Sequence, residues 1–194
     1  MAIRKETIHL IEIGISHIKS SIHMAELGNQ HCKDGHPAVI TGKEYFESLG
    51  HSHTSFDLNG KDGAISIDLS KSIPLKYIDR FNIVTNYGTS EHIDDQYMVF
   101  KNIHDLVCKN GVIVHCMPLS PYWKHHGLYN YSEQFTTEIA GLNNYEIMAD
   151  QVIKKVKNPL KHDLYLLGSV LIKRNDDRFI SEKEFNKIKG IIRL

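Results

Sequence analysis

Between Phe81 and Pro118 the chain reads FNIVTNYGTSEHIDDQ, then an amphipathic run, then GVIVHCMP. An uncharged apolar run, a loop holding a glycine, apolar residues at helical spacing and a second apolar run predict strand, loop, helix and strand. Asn86, Gly88, Glu91 and His92 then lie where the first strand's carboxyl end gives way to the helix. In open α/β sheets ligands bind at that edge, because helix amino termini and strand ends converge there on a crevice.

The flanking sequence extends the alternation. Ile8, Ile11, Ile15, Ile18 and Ile22 recur at helical spacing and predict an amphipathic helix over residues 4 to 20. Residues 23 to 27 are the first strand, 31 to 40 a loop, and Thr41-Gly42-Lys43-Glu44 a capping box opening a short helix that Gly50 ends. His53 to Leu58 reads as the second strand and Ala64 to Asp68 as a short third one. About seven residues separate them, fewer than the dozen or so of a helical crossover, so either a helix is missing or the strands pair differently. Ile93, Tyr97, Phe100, Ile103 and Val107 mark the helix after Phe81 to Thr85, with Gly111 as its stop signal and Val112 to Met117 as the next strand. A helix from Ser132, strands at 145 to 149 and 164 to 172, and a short helix from Ser181 complete the reading.

The 194 residues, 41% hydrophobic, suit one domain: an N-terminal helix to 22, a core from 23 to 172 and an extension to 194. Twenty-three basic and 23 acidic residues cancel, which gives no electrostatic case for nucleic acid or an anionic membrane as main partner. Cys32, Cys108 and Cys116 are odd in number and widely spaced, which fits neither a disulfide framework nor a cysteine zinc site. With no leader-like opening run and no apolar run approaching a membrane span, a reducing, cytoplasmic setting is expected.

An acid-x-Gly at Glu26-Leu27-Gly28 after strand one and Asp57 at the end of strand two describe an adenosine-binding crevice. The glycine lets backbone approach a ligand, and the carboxylate accepts from both ribose hydroxyls. A plain turn at Gly28 and a solvated Asp57 satisfy the same pattern.

Glu26-Leu27-Gly28, Asp57, Asp68, FNIVTNYGTSEHI and NGVIVHCMP, in that order, resemble the class I S-adenosylmethionine-dependent methyltransferase family over roughly residues 20 to 172. The resemblance implies a Rossmann-like α/β fold: a mostly parallel central sheet with an antiparallel final strand and helices on both faces. It also implies that Glu26 and Gly28, with Asn29 and Gln30, lie against the methionine part of S-adenosylmethionine. Asp57 with Leu58 would hold the ribose, Asp68 with Leu69 would meet the adenine, and Asn86, Tyr87 and Gly88 would border the donor. The chain departs from the family at the first loop, where Gly28 is followed by Asn29, Gln30 and His31 with no second glycine before Gly35.

Glu91-His92 resembles the branch that methylates hydroxyl groups, including the ubiquinone-pathway O-methyltransferases. Some of these hold a divalent metal by a Glu, a second Glu three residues later and the adjoining His. Gly88 stands at the first of those positions, which leaves Glu91 and His92 short of oxygen ligands for Mg²⁺. His92 is therefore expected as a general base for the acceptor hydroxyl, with His115 as second candidate and a structural cap as the plain alternative.

The loop after the next strand concentrates Trp123, His125, His126, Tyr129 and Tyr131, whose aromatic faces and polar tips suit a sugar or phenolic acceptor beside Glu91. A loop packed on its own sheet would look the same. The expected function is O-methylation of a small molecule or a sugar in glycan synthesis. Two rivals stay open: a non-catalytic adenosine-binding relative acting through a partner, and an NAD-dependent sugar-modifying enzyme. The second gains from a Tyr-x-x-x-Lys spacing at Tyr97 and Lys101, read here as a core-facing Tyr and a solvated Lys.

Overall fold

The computed structural model describes residues 3–32, 40–155 and 163–194. The helices are α1 (Lys5–His17), α2 (Gly42–Ser48), α3 (Gln96–Leu106), α4 (Gln134–Asn143) and α5 (Glu182–Phe185). The strands are β1 (His23–Leu27), β2 (His31–Cys32), β3 (Ile40–Thr41), β4 (Ser52–Asp57), β5 (Ile65–Ser66) and β6 (Phe81–Tyr87), then β7 (Val107–Pro118), β8 (Tyr129–Tyr131), β9 (Tyr145–Lys155), β10 (Leu164–Lys173) and β11 (Ile191–Arg193).

Seven strands form one sheet in the order β5-β4-β1-β6-β7-β10-β9. The first five run parallel, and β10 lies antiparallel to both β7 and β9. From β1 the chain steps outward to β4 and β5, then returns to the other side of β1 at β6. That reversal opens a crevice above the carboxyl ends of β1 and β6. The expected fold class is the observed one.

Strand alternation decides which helix each residue meets. Val84 and Ile113 join Phe100, Ile103, Phe135 and Ile139 in the layer under α3 and α4, whereas Ile83, Val112 and Val114 join Leu10, Ile11 and Phe46 under α1 and α2. Thr41 caps α2 by accepting from the Glu44 N–H at 3.1 Å, as its capping-box pattern predicts, and Ser181 caps α5 in the same way.

One open alternative is decided and two expectations need correction. Of the two alternatives for the short link, the missing helix is the one observed: no helix separates β4 and β5, and the two strands pair in parallel, Phe56 with Ile65 and Asp57 with Ser66. Self-bonded turns make this short return possible: Asp57 accepts from the Asn59 N–H, Asn59 from the Lys61 N–H, and the Ser66 hydroxyl donates to the Leu58 carbonyl. The third strand is two residues long rather than five, because Ser70 bends the chain at Asp68. Finally, α3 stops at Leu106 instead of running toward Gly111; β7 pairs Val107 with Phe81 and then jumps to Val112 opposite Ile83, with Asn110 at φ +59° in between. The loop foreseen over 31 to 40 lies mostly outside the described residues, and its ends are the β2–β3 ladder. Among the described residues no helix is long and apolar enough to cross a membrane.

The core holds titratable groups that set the response to pH. Burial, the largest cause each time, holds His53 and His104 down to about 4 and His115 down to about 3. The unfolded chain, with ordinary histidines, takes up protons first, so their stabilisation is complete above about pH 6.5 and is lost as the pH falls toward 4. Glu26 acts oppositely: burial raises it to about 8, and its contribution, present below 4.5, is lost as the pH rises through 8. Urea unfolding followed from pH 4 to pH 9 is expected to give a maximum near 6.5 and a steeper fall on the acid side, where three groups act against one. A profile rising steadily from pH 6.5 to 9 would contradict this assignment.

Candidate active site

The loops after β1, β4, β5 and β6 enclose a cavity of about 590 Å³, within the range of small-molecule sites. Gly28, Asn29 and Gln30 form one wall; Asp57 and Leu58 with Asp68 and Leu69 form the second; Gly88 and His92 form the third. Sequence reasoning missed six further lining residues, Phe56, Ile67, Ser70, Thr89, Ile93 and Asp94. Each lies within two residues of one it singled out, so adjacency to the loop residues was the available signal.

The first loop keeps its shape with one glycine. Gly28 sits at φ +78° and donates its N–H to the Phe56 carbonyl at 2.8 Å. A Cβ there would lie 2.5 Å from Thr89 Oγ1, and the Thr89 hydroxyl itself donates to the Leu27 carbonyl at 2.6 Å. Only glycine permits that approach together with that backbone. Where further glycines would relax the loop, polar braces fix it. Asn29 donates its N–H to Asp57 Oδ2 at 2.9 Å, and its amide donates to Lys61 O and Asp62 Oδ2 at 3.1 and 3.2 Å. Asp57 thus ties two loops together and, as a carboxylate with about four acceptor positions, retains capacity for a ligand diol. The Asp68 carboxyl is held below its usual range by the hydroxyl and N–H of Ser70, at 2.6 and 3.0 Å.

Several expected site residues lie elsewhere. Glu26 is fully buried beneath the loop, accepts from the Gln30 N–H at 3.1 Å and faces His53 Nε2 at 4.0 Å; it shapes the loop without lining the cavity. Asn86 and Tyr87 are strand residues pointing to opposite layers. Tyr87 donates its hydroxyl to the Thr7 carbonyl under α1, at 2.8 Å. Asn86 donates to Ser90 Oγ at 2.9 Å and accepts from the Ser90 N–H at 3.1 Å, which closes the 3-10 turn Ser90–His92. His115, paired with Asn86 across β6 and β7, shares its face and is buried between Phe100 and Phe135, with ring centroids 5.6 and 6.0 Å away. It points into the helix layer, so it is no base for a ligand in the crevice.

The aromatic loop divides likewise. Tyr131 is fully buried and donates to Ser90 Oγ or Gln96 Oε1, both at 2.8 Å; Trp123 donates to the Tyr165 carbonyl at 2.6 Å; Tyr129 donates to the Asp94 carbonyl at 3.0 Å. These three rings hold the loop on the sheet and do not line the cavity. His125 is exposed at φ +64°. His126 turns inward, 5.0 Å ring to ring from both Trp123 and His92. Gly127, at φ +74°, lets the chain pass so close that a Cβ would lie 2.7 Å from the Glu91 carbonyl, which accepts from the Leu128 N–H at 2.7 Å.

Glu91, His92 and His126 consequently meet beside the crevice, with His92 the one of the three on its wall. Glu91 Oε1 lies 3.5 Å from His126 Nε2 and 3.9 Å from His92 Nε2. The Glu91 side chain is fully buried, and neither of its carboxylate oxygens has a hydrogen-bond partner; the same holds for His126 Nε2. Burial lowers the pKa of His92, Glu91 opposes that shift and His126 adds to it. Tyr97 and Lys101, the spacing that favoured NAD, lie away from the crevice: Tyr97 packs on Phe179 and Phe185, and Lys101 pairs with Asp105.

Comparison with known proteins places this geometry in a fold. No protein-family model and no curated protein matches the chain. Among solved structures it is similar to the 1,6-didemethyltoxoflavin-N1-methyltransferase of Burkholderia thailandensis, solved with 1,6-didemethyltoxoflavin and S-adenosylhomocysteine, at 16% identity and TM-score 0.64 over 88% of this chain and 79% of that one. A putative methyltransferase of Bacillus halodurans matches at 11% identity and TM-score 0.59, over 86% and 99% of the two chains. The [4+2]-cyclase SpnF matches at 8% and 0.58, over 85% and 78%. At such identities the likeness speaks for architecture, and the same architecture hosts different chemistries. With its strand order, its antiparallel end and its helices on both faces, the chain has the Rossmann-like class I methyltransferase fold.

Proposed function

We propose that this protein is an S-adenosylmethionine-dependent methyltransferase acting on a hydroxyl of a small molecule, with a sugar, as in glycan synthesis, the first candidate. The observation that carries the reading is the crevice, where Gly28, Asp57 and Asp68 stand on three successive loops around one cavity of about 590 Å³. In this reading the Gly28 to Gln30 backbone takes the methionine part, Asp57 accepts from the ribose hydroxyls and Asp68 accepts from the adenine amine. S-adenosylmethionine supplies an electrophilic methyl group when bound. Held there, the donor would present its methyl carbon to the acceptor oxygen and leave as a neutral thioether, while His92 on the crevice wall would take the hydroxyl proton. Proximity and alignment account for most of such a transfer.

The hydroxyl preference rests on Glu91-His92 and is separable from the donor reading. Methyl-labelled S-adenosylmethionine incubated with paired hydroxyl and amine acceptors, sugars and phenols among the former, is expected to label the hydroxyl members. Labelling confined to amines would overturn the acceptor class. Binding of NAD in preference to S-adenosylhomocysteine would overturn the donor.

A further inference from the structure

We propose that Glu91, His92 and His126 bind a divalent transition-metal cation beside the crevice. Their ligand atoms all lie within 4.8 Å of one another. Bonds of about 2.0 to 2.1 Å in a tetrahedral site set ligand atoms about 3.3 Å apart. The pairs at 3.5 and 3.9 Å need only small side-chain adjustments to reach that spacing.

The stronger argument is the carboxylate itself. A buried carboxylate without donors is among the costliest groups a fold can carry, so it is normally paired or bound to a metal. Glu91 has no donor on either oxygen, although hydroxyls and amides surround its turn: Asn86, Ser90, Tyr131 and Gln96 all bond one another and leave the Glu91 carboxylate alone. The buried nitrogen His126 Nε2 also has no hydrogen-bond partner and lies 3.5 Å away. These orphaned atoms converge on one point.

The sequence favoured His92 as a free base because Glu91 and His92 alone were too few ligands. His126 supplies the third ligand from a separate loop, and Gly127 and Leu128 hold that loop against the Glu91 backbone. The resulting set of two imidazole nitrogens and one carboxylate suits Zn²⁺, Co²⁺, Ni²⁺ or Fe²⁺ better than Mg²⁺, which prefers oxygen ligands. Three protein ligands leave coordination open, and His92, alone of the three, lies on the crevice wall and joins the cluster to it. A cation there would lower the cost of an acceptor hydroxyl losing its proton. The inference relies on the methyl-transfer reading for the ion's purpose and stands on the side-chain geometry for its presence.

The test uses the full chain after chelator treatment, titrated with Co²⁺ or Zn²⁺ by calorimetry, and with Co²⁺ also by its visible absorption. One ion per chain is expected. His126→Ala and Glu91→Gln should each weaken binding by more than about 100-fold, since outer-shell partners alone are worth 10- to 100-fold. His125→Ala, next in sequence but outside the cluster, should bind normally. No binding at millimolar Co²⁺ or Zn²⁺, or binding unchanged in both His126→Ala and Glu91→Gln, would overturn the site. S-adenosylhomocysteine titrated into the same samples reports folding and keeps the two readings apart. Donor binding without metal binding sinks the metal site alone, and metal binding without donor binding sinks the methyltransferase reading alone.

Discussion

Gly28→Val is expected to weaken S-adenosylhomocysteine binding by about 100-fold or more. A side chain at φ +78° costs about 1 to 3 kcal/mol, and each 1.4 kcal/mol is tenfold in affinity. The new Cβ would also lie 2.5 Å from Thr89 Oγ1, which is anchored to the Leu27 carbonyl, so the loop rather than Thr89 must move. Moving it withdraws Asn29 and Gln30 from the cavity wall and strains the Asn29 bond to Asp57. Gly50→Ala is the control, because Gly50 has φ +83° but nothing within 4 Å of a Cβ, and it ends α2 away from the crevice. That change should lower thermal stability and leave donor affinity as it was. Calorimetry on the two variants checks both halves.

Glu91→Met should lower turnover by roughly 10²-fold or more while raising the melting temperature of the chelator-treated protein. Replacing a buried ion by an apolar side chain of similar volume is often neutral or stabilising by about 1 to 4 kcal/mol, and Glu91 is fully buried with two unpaired oxygens. An isolated cost of this kind is what a functional site carries. His92→Ala, on the crevice wall, should also cost roughly 10²-fold in turnover with donor affinity nearly unchanged. Equal losses of donor binding and turnover in His92→Ala would assign His92 to holding the turn. A lower melting temperature in chelator-treated Glu91→Met would show that the carboxylate has a protein partner in the folded chain after all. Thermal scans and initial rates decide these outcomes.

Sequence made the sheet legible wherever periodicity was strong. β1 spans the residues expected of it, and β4, β6 and β10 follow their apolar runs, whereas β9 starts where expected and runs on past Ala149 to Lys155. A capping box located α2, since Thr41 makes the bond its pattern predicts, and the short helix expected from Ser181 is α5, capped by Ser181. What failed was local geometry that period cannot encode: the jump at Cys108 to Gly111, and a third strand two residues long. Within the site, Gly28, Asp57, Asp68, Gly88 and His92 reach the cavity because loops after parallel strands all open on one edge. Asn86, Tyr87 and His115 do not, because each sits inside a strand and its face is fixed by alternation. His126 was legible as a histidine but not as a neighbour of Glu91, for that contact depends on the fold of a loop 35 residues downstream.

The central claim is that the crevice binds a methyl donor, and calorimetric titration of S-adenosylhomocysteine into the wild-type protein and Asp57→Ala tests it most directly. One site per chain with a dissociation constant in the micromolar range, about −8 kcal/mol, and its loss in Asp57→Ala, is the predicted result. Absence of binding at millimolar ligand, or affinity unchanged in Asp57→Ala, would contradict it.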